Sequence, residues 1–229
     1  MVELEDPWPP RYVSYPAAQF MMRRTEHREF NALYHELARR AINGARGKRK
    51  EIYGKYIDKR QYYLENFLCR IHDIFIQYYE EIAVEILWSK LHQSEEQDGE
   101  KRWAARETIE RTVSSKAAKR ISDFVSFVST EGGQQVAINA TEITLIATLG
   151  ALRNLIVHND GVPDARFLAR VAETDFRFEL QKGGRVEIEE SWLLEGAQIC
   201  DAMVFRFDQH VVEHFSLPAR DRFGLFWIR

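Results

Sequence analysis

The chain has 229 residues, of which 45% are hydrophobic, 29% charged and 12% aromatic. This composition excludes a disordered chain and predicts one fair-sized domain with a hydrophobic core, with or without short extensions. The formal net charge is −3, so any binding to nucleic acid must use a local cationic patch, because the chain as a whole is not a polycation.

The two cysteines, Cys69 and Cys200, are far apart in the sequence and form no CxxC pair. Neither a zinc site nor a disulfide framework is therefore expected, and both thiols are interpreted as core residues in a reducing compartment. The chain begins with acids and prolines where a secretory signal would be basic and then apolar, and no stretch reaches the roughly 18 uninterrupted apolar residues of a membrane span. These features predict a cytoplasmic protein that does not bind a membrane.

The first segment, residues 1–16, is rich in proline and aromatic residues. It is predicted to be an extended arm that lies on the domain, because proline disfavours a regular helix and the aromatic side chains favour burial. After the arm, apolar residues recur at helical spacing and predict helices over 17–43, 58–92, 102–130 and 191–213.

The most basic segment lies between the first two of these helices. Gly44 and Gly47 predict a turn, and no acid occurs from residue 39 to residue 50. The cations either contact RNA phosphates or belong to a solvated helix end with cations at its C-terminus, and the sequence leaves both interpretations open. The members of this basic segment are Arg39, Arg40, Arg46, Lys48, Arg49 and Lys50.

Residues 139–161 predict the helix around which the chain is organised, because it is apolar on almost every side. Asn139 or Thr141 is expected as its N-cap, with Glu142 in the first turn. Gly161 suits a left-handed turn at its end. Polar side chains in such a helix need a reason, since burying them without partners costs several kcal/mol. The polar residues near its end are Arg153, Asn154 and His158.

The remaining segments complete a mainly α prediction. Residues 165–173 have a short helical pattern, and the alternating residues 175–189 predict a β-hairpin with its turn at KGG. The tail, 216–229, is too apolar to be solvated and is expected to pack on the domain. The predicted fold is an antiparallel helical bundle of four or more long helices with a small hairpin insertion near the C-terminus, in one domain over 17–215.

The polar residues at the end of the central helix suit phosphate chemistry. Asn154 and His158 are four residues apart and share one face, whereas Arg153 converges with His158 only if the last turn unwinds or a second copy supplies the partner across a two-fold axis. The helix dipole favours a protonated imidazole at this end, and a histidine is suited to proton transfer near neutral pH. A guanidinium fits a phosphoryl group.

Without metal ligands, these groups match the cleavage of RNA by its own 2′-hydroxyl. One group accepts the 2′-hydroxyl proton, another protonates the 5′-oxygen, and a cation holds the phosphoryl oxygens. A structural alternative exists, because Asn154, His158 and the two residues after it can satisfy the orphan carbonyls and the turn of a helix end.

The run from Arg153 to His158, RNLIVH, resembles the RX4–6H motif of the HEPN superfamily, and residues 159–161 (NDG) are similar to those that commonly follow it. The resemblance covers only these residues and implies an all-α bundle in which the motifs of two protomers face each other in a symmetric homodimer. It further implies a metal-independent endoribonuclease without a cofactor. His158 would be the acid/base catalyst, Arg153 would bind the phosphate and stabilise the transition state, and Asn154 would orient them.

The resemblance also has implications for partners. Such proteins often act as toxins in toxin–antitoxin or antiphage systems, which implies RNA as the substrate and a possible antitoxin protein as a partner. Other members of the superfamily are inactive and bind RNA, nucleotide or a protein partner. A catalytically inactive binding module of that kind is the alternative function.

Two further patterns contain possible metal ligands. Residues 210–214, HVVEH, match the inverted zinc-protease motif, and His210 and His214 lie one helical turn apart. Because Asp221 is the only acid that follows, a solvated helix face is the preferred interpretation. His72 and Asp73 are predicted to form a local pair, with no third ligand spaced to hold a metal.

Overall fold

The structure is a computed structural model, and it describes residues 12–45, 47–92, 99–133, 138–172, 174, 176–181, 183–221 and 227–228. It is mainly helical, as the sequence predicts. The helices are α1 (Tyr15–Gly44), α2 (Arg49–His92), α3 (Gly99–Ala117), α4 (Ile121–Glu131), α5 (Ala140–Asn159), α6 (Ala165–Val171) and α7 (Glu190–Phe215). The strands are β1 (Tyr12–Ser14), β2 (Ala219–Asp221) and β3 (Trp227–Ile228).

The helix boundaries differ from the predicted ones at two places. The helix predicted over 102–130 is two helices, because Arg120 has an extended backbone (φ −66°, ψ 130°) that separates α3 from α4. The break allows α4 to take a different direction from α3 and to bury its apolar face, which includes Phe124 and Val128. The second long helix begins at Arg49 and not at 58, so the end of the basic segment belongs to its first turn.

The chain divides into two compact units. Unit 1 comprises Met1–Phe20, Phe75–Ala147 and Ala197–Arg229, and unit 2 comprises Met21–Ile74 and Thr148–Gly196. The RX4–6H motif and the basic segment belong to unit 2, whereas the histidines of the HVVEH pattern belong to unit 1.

Unit 1 contains a small antiparallel sheet in the order β1-β2-β3. It joins the end of the predicted arm to the predicted tail, because Val13 pairs with Arg220 and Ala219 pairs with Ile228. The rest of the arm, residues 1–11, and residues 222–226 and 229 of the tail lie outside the described residues.

A fully buried carboxylate on α7 holds β1 in place. Asp208 accepts hydrogen bonds from the backbone N–H of Ser14 at 3.0 Å, from the Ser14 hydroxyl, and from the Tyr78 hydroxyl at 3.4 Å. Burial raises the pKa of Asp208 from its usual value of 3.8 to about 6, although the three hydrogen bonds favour the ionised form. The N-terminal strand is thus attached through a carboxyl group that titrates in the weakly acidic range.

This carboxyl group predicts a pH dependence of stability. Because the folded pKa lies above the unfolded one, the contribution of Asp208 is fully present below about pH 4 and is lost as the pH rises through 6, by on the order of 3 kcal/mol. Asp208→Asn is expected to reduce the slope of the unfolding free energy against pH between pH 4 and pH 6, as measured by denaturant titrations. Asp201→Asn, which removes another buried carboxylate from α7, is the control. An unchanged slope in the Asp208→Asn variant contradicts the prediction.

Helix α5 begins with a reciprocal cap, which confirms the predicted N-terminus. The Asn139 side chain accepts a hydrogen bond from the Glu142 N–H at 2.9 Å, and the Glu142 carboxylate accepts one from the Asn139 N–H at 3.0 Å. Glu142 is also bound by Arg206 of α7 at 2.8 Å. These contacts fix the start of the helix that carries the motif.

By length and composition α5 is the one helix among the described residues that is apolar enough to cross a membrane. This differs from the expectation that no stretch reaches such a length, because the expectation required an uninterrupted apolar run. Half of the apolar stretch is buried inside the protein, including Leu149, Leu152 and Leu155. A core helix meets the same criteria, so the finding is weak evidence for a span.

The segment predicted as a hairpin contains one isolated antiparallel bridge, between Leu180 and Val186. Its described backbone groups also bond outside the segment. The Val186 N–H donates to the Gly161 carbonyl at 2.9 Å, and Gln61 of α2 bonds both the Val186 carbonyl and the Ile188 N–H. Within the segment, the Gln181 N–H donates to the Arg185 carbonyl and the Glu187 N–H donates to the Glu179 carbonyl, both at 2.8 Å. The outward-facing groups of residues 186 and 188 thus attach the segment to α2 and to the turn after α5, and residues 173, 175 and 182 lie outside the described residues.

Candidate functional site

The RX4–6H motif occupies the last two turns of α5. Leu155 is buried and anchors this part of the helix, whereas Arg153 is half-buried and Asn154 and His158 are exposed. Val157, next to His158, has 51% of its surface exposed. Asn154 and His158 therefore lie at the surface of this apolar helix, whereas Arg153 is partly covered.

Arg153 lies within ion-pair distance of a carboxylate from α2. Its Nε atom lies 3.7 Å from Oδ1 of Asp73, and its Nη1 donates to the Asn154 side-chain oxygen at 3.5 Å. Nδ1 of His72 lies 3.1 Å from the same Asp73 oxygen, which confirms the predicted pair. His72 thus completes a chain of side chains that runs from α2 to Asn154 on α5.

The electrostatics of this chain favour an ionised Asp73. Its pKa is lowered, chiefly by the hydrogen bond with His72 and then by the charges of His72, Arg153 and Arg70, while partial burial opposes the shift. A carboxylate in this position neutralises part of the Arg153 charge and restricts the directions in which the guanidinium can point. The remaining N–H groups of Arg153 stay available for an anion.

Sequence reasoning did not assign Asp73 to the motif. The signal was present, because Asp73 interrupts an apolar run on one helix and Arg153 interrupts an apolar run on another. Two opposite charges that each interrupt a core-facing helix are candidates to neutralise each other. The sequence alone does not reveal this pair, because Asp73 and Arg153 lie on different helices and nothing in the sequence shows which helices are neighbours.

The side chains of the residues after the motif bond other side chains around the turn, whereas the backbone N–H groups of Gly161 and Val162 bond carbonyls of the helix end. Asp160 has a left-handed backbone (φ 52°) and accepts a hydrogen bond from Arg185 at 3.0 Å. Asn159 donates to Asp164 at 2.5 Å, and Asp164 caps α6. His158, however, makes no hydrogen bond or ion pair with any of the described residues. The structural alternative therefore explains Asn159 and Asp160 but gives His158 no role.

A clamp formed by Arg185 fixes the turn that follows His158. The guanidinium bonds the buried Glu65 of α2 at 2.6 Å as well as Asp160, and it lies 5.3 Å from the Tyr62 ring centroid. Gly161 has a left-handed φ of +76°, and a Cβ there would lie 3.3 Å from Arg185 and 3.4 Å from Glu65. Glycine therefore suits this position chiefly through its left-handed backbone, while a Cβ would also require the Arg185 side chain to shift by a few tenths of an ångström.

The basic segment is less cationic in the structure than in the sequence. Arg39 and Arg40 both bind Glu36, at 2.8 Å and 2.6 Å, and these hydrogen bonds lower the Glu36 pKa to about 2. Arg49 donates to the Asn43 carbonyl at 3.4 Å. Two of its cations begin α2, so the interpretation of the whole segment as cations at a helix C-terminus is wrong for them.

The segment keeps a positive charge from the cations that do not bind Glu36. Lys48, Arg49 and Lys50 are exposed. Arg46 lies outside the described residues. Contact of these side chains with RNA phosphates stays a prediction.

The zinc interpretation gains no further ligand. The His210 and His214 rings are stacked with centroids 5.6 Å apart. Throughout the part of the chain that the structure describes, no group of three His, Cys, Asp or Glu side chains is placed to hold a metal ion.

The two cysteines are free thiols, one buried and one half-buried. Burial raises the pKa of Cys69, which lies one turn before Asp73, to about 11. Cys69 is therefore kept in the unreactive thiol form at neutral pH and contributes no nucleophile to the motif.

Comparison of the chain with models of protein families, with curated proteins and with solved structures finds no match.

Proposed function

We propose that this protein is a metal-independent endoribonuclease with a HEPN-like helical bundle, a hairpin at 175–189 and a composite active site at a homodimer interface. One observation carries the proposal. His158 is exposed and makes no hydrogen bond or ion pair with the described residues, while Arg153, on the preceding turns of the same buried helix, is oriented by Asp73. A histidine for proton transfer beside an oriented guanidinium suits phosphodiester chemistry.

In the proposed reaction Arg153 binds the non-bridging oxygens of the scissile phosphate, and Asn154 orients the guanidinium. One His158 accepts the proton of the 2′-hydroxyl, whose oxygen forms a bond to phosphorus. The bond from phosphorus to the 5′-oxygen breaks, and the leaving oxygen receives a proton from the second histidine. The products are a 2′,3′-cyclic phosphate and a free 5′-hydroxyl, and no cofactor takes part.

A homodimer supplies the second proton-transfer group. Within one chain His72 is the other histidine near the motif, and its bond to Asp73 engages it. The same histidine of a second protomer provides the missing acid if the two motifs face each other. Exposed apolar side chains within the motif and in the segment that follows it support such a contact, since Val157, Val162 and Leu168 each expose about half of their surface.

The biological role that fits this chemistry is that of a cytoplasmic toxin or antiphage effector. Uncontrolled cleavage of RNA is harmful to a cell, so such an enzyme needs an inhibitor. An antitoxin protein that covers the exposed motif is the expected partner. Lys48, Arg49 and Lys50 supply further contacts to the RNA backbone in this proposal.

The reaction is tested by incubating the purified protein with single-stranded and looped RNA in excess EDTA. Cleavage is expected to persist, and the 5′ fragments are expected to carry 2′,3′-cyclic phosphate ends, which end-specific enzymes and mass spectrometry detect. Cleavage that EDTA stops and a divalent cation restores would contradict the proposal. Tight RNA binding without turnover would instead support the inactive binding module.

A further inference from the structure

Unit 2 contains a cavity of about 300 Å³ between the first half of α1 and the middle of α2. It is at the lower end of the volumes of ligand sites, so it admits one ring system with its substituents but no extended ligand. The cavity combines aromatic, cationic and acidic side chains, of which the most informative are Arg23, Glu26, Phe30, Tyr63, Asn66 and Arg70.

The base of the cavity is rigid. His27 and Phe67 are both buried, and their rings pack with centroids 4.1 Å apart. Arg24 is also buried, and its Nη1 lies 3.2 Å from Nδ1 of His27. Because a guanidinium can only donate, Nδ1 is the acceptor of this bond. Such a floor keeps the shape of the cavity in the absence of a ligand.

An exposed aromatic ring stands at the cavity. Phe30 exposes 61% of its surface and makes no ring contact with the described residues. Tyr63, on the α2 side, is already fixed, because its ring stacks on Tyr34 and its hydroxyl donates to Asn31. A planar ligand that covers Phe30 would remove this apolar surface from water, and stacking of a nucleobase on an aromatic side chain does so.

The polar groups of the cavity select among the bases. Glu26 and Arg70 form no hydrogen bond or ion pair with the residues that the structure describes, and Asn66 donates one amide N–H to the Tyr62 carbonyl. Guanine presents two adjacent donors on one edge, which match a carboxylate, and two adjacent acceptors on another, which match a guanidinium. The other three bases lack this combination.

The cavity lies next to Asp73 along one side of α2, because its lining residue Arg70 is three residues before Asp73. Asn66, Arg70 and Asp73 follow one another at helical spacing, and the charge of Arg70 contributes to the lowered pKa of Asp73. Three helical residues span only about 5 Å. A base in the cavity would therefore place its neighbouring phosphate near the guanidinium of Arg153, which Asp73 holds.

We propose that this cavity binds the guanine of an RNA substrate next to the scissile phosphate. The base stacks on Phe30, its donor edge binds Glu26, and its acceptor edge or phosphate binds Arg70. Guanine binding itself requires only the cavity, whereas its effect on the cleavage position rests on the proposed nuclease function.

Binding is measured by titrating the full-length His158→Ala protein with GMP, AMP, CMP, UMP and IMP. GMP is expected to bind at least tenfold more tightly than AMP, CMP or UMP, and Phe30→Ala is expected to weaken GMP binding by about tenfold. IMP lacks the 2-amino donor, so a preference for GMP over IMP should disappear in Glu26→Gln. Leu37→Ala, which removes another exposed apolar side chain from α1, is the matched control and should change nothing.

Equal affinity for all five nucleotides, or GMP binding that Phe30→Ala leaves unchanged, would overturn the inference. A second assay separates this failure from failure of the nuclease. If the protein cleaves RNA but with the same base preference in wild type and Glu26→Gln, the cavity is not the base site. If GMP binds as expected but RNA is not cleaved, the cavity stands and the nuclease proposal fails.

Discussion

Replacing His158 with alanine is expected to lower the rate of RNA cleavage by about 10²–10⁴-fold, the range that general acid–base groups contribute. In the proposed symmetric site the substitution removes the group that accepts the 2′-hydroxyl proton and the group that protonates the leaving oxygen. Stability should be unaffected, because His158 is exposed and makes no hydrogen bond or ion pair with the described residues. Cleavage rates and thermal melting of the same preparation measure both effects.

The control for this substitution is His214→Ala. His214 is also exposed and also lies in the last turn of a long helix, α7, so it reproduces the chemical change and the position relative to a helix dipole. Its replacement should leave the cleavage rate unchanged. Cleavage by the His158→Ala protein at the wild-type rate would show that His158 is not a catalytic residue, and the end of α5 would then have no catalytic role.

The sequence identified the organising helix well, for reasons that are local. The reciprocal cap between Asn139 and Glu142 and the left-handed Gly161 depend on residues only a few positions apart. The same locality explains why Arg153, Asn154 and His158 were recognised as exceptions. A pattern within one helix specifies its ends and its faces, although it does not specify what those faces meet.

The features that escaped prediction depend on long-range contacts. Asp73 and Arg185 bind the region of the motif from segments far away in the sequence. Phe30 and Leu37 have helical spacing and yet are exposed, because nothing in the pattern of one helix shows whether another element covers it. Glu36 lies one turn before the basic segment and neutralises part of it. Counting the charges within the segment does not show this, because the ion pairs depend on how the side chains are placed on the helix.

Arg153 needs a contact from outside α5 if its guanidinium is to point toward the side of the helix that carries Asn154 and His158. On an ideal helix it points about 100° away from Asn154. In the structure Asp73 of α2 lies 3.7 Å from Nε, close enough for an ion pair, and Asn154 accepts a hydrogen bond from Nη1. Asp73 is therefore a positioning residue, and it should act only through Arg153.

Replacing Arg153 with alanine is expected to lower kcat by about 10²–10³-fold, as for other groups that stabilise charge in a transition state. Arg153→Lys should restore little, because a single ammonium cannot replace the planar fork. Asp73→Asn should lower kcat by roughly tenfold and leave KM nearly unchanged, since the guanidinium is present but less well oriented. Arg106→Ala breaks a similarly half-exposed ion pair with Glu85, at 3.0 Å, and serves as the control, with the cleavage rate unchanged.

The double variant decides whether Asp73 acts through Arg153. If it does, Arg153→Ala combined with Asp73→Asn is no slower than Arg153→Ala alone, because the second substitution has nothing left to orient. Multiplicative losses would mean that Asp73 acts independently, for example through His72. Thermal melting of all four proteins is needed alongside the rates, because a half-exposed ion pair contributes only about 0–1 kcal/mol to stability. A loss of kcat without a loss of melting temperature is then a property of the site and not of the fold.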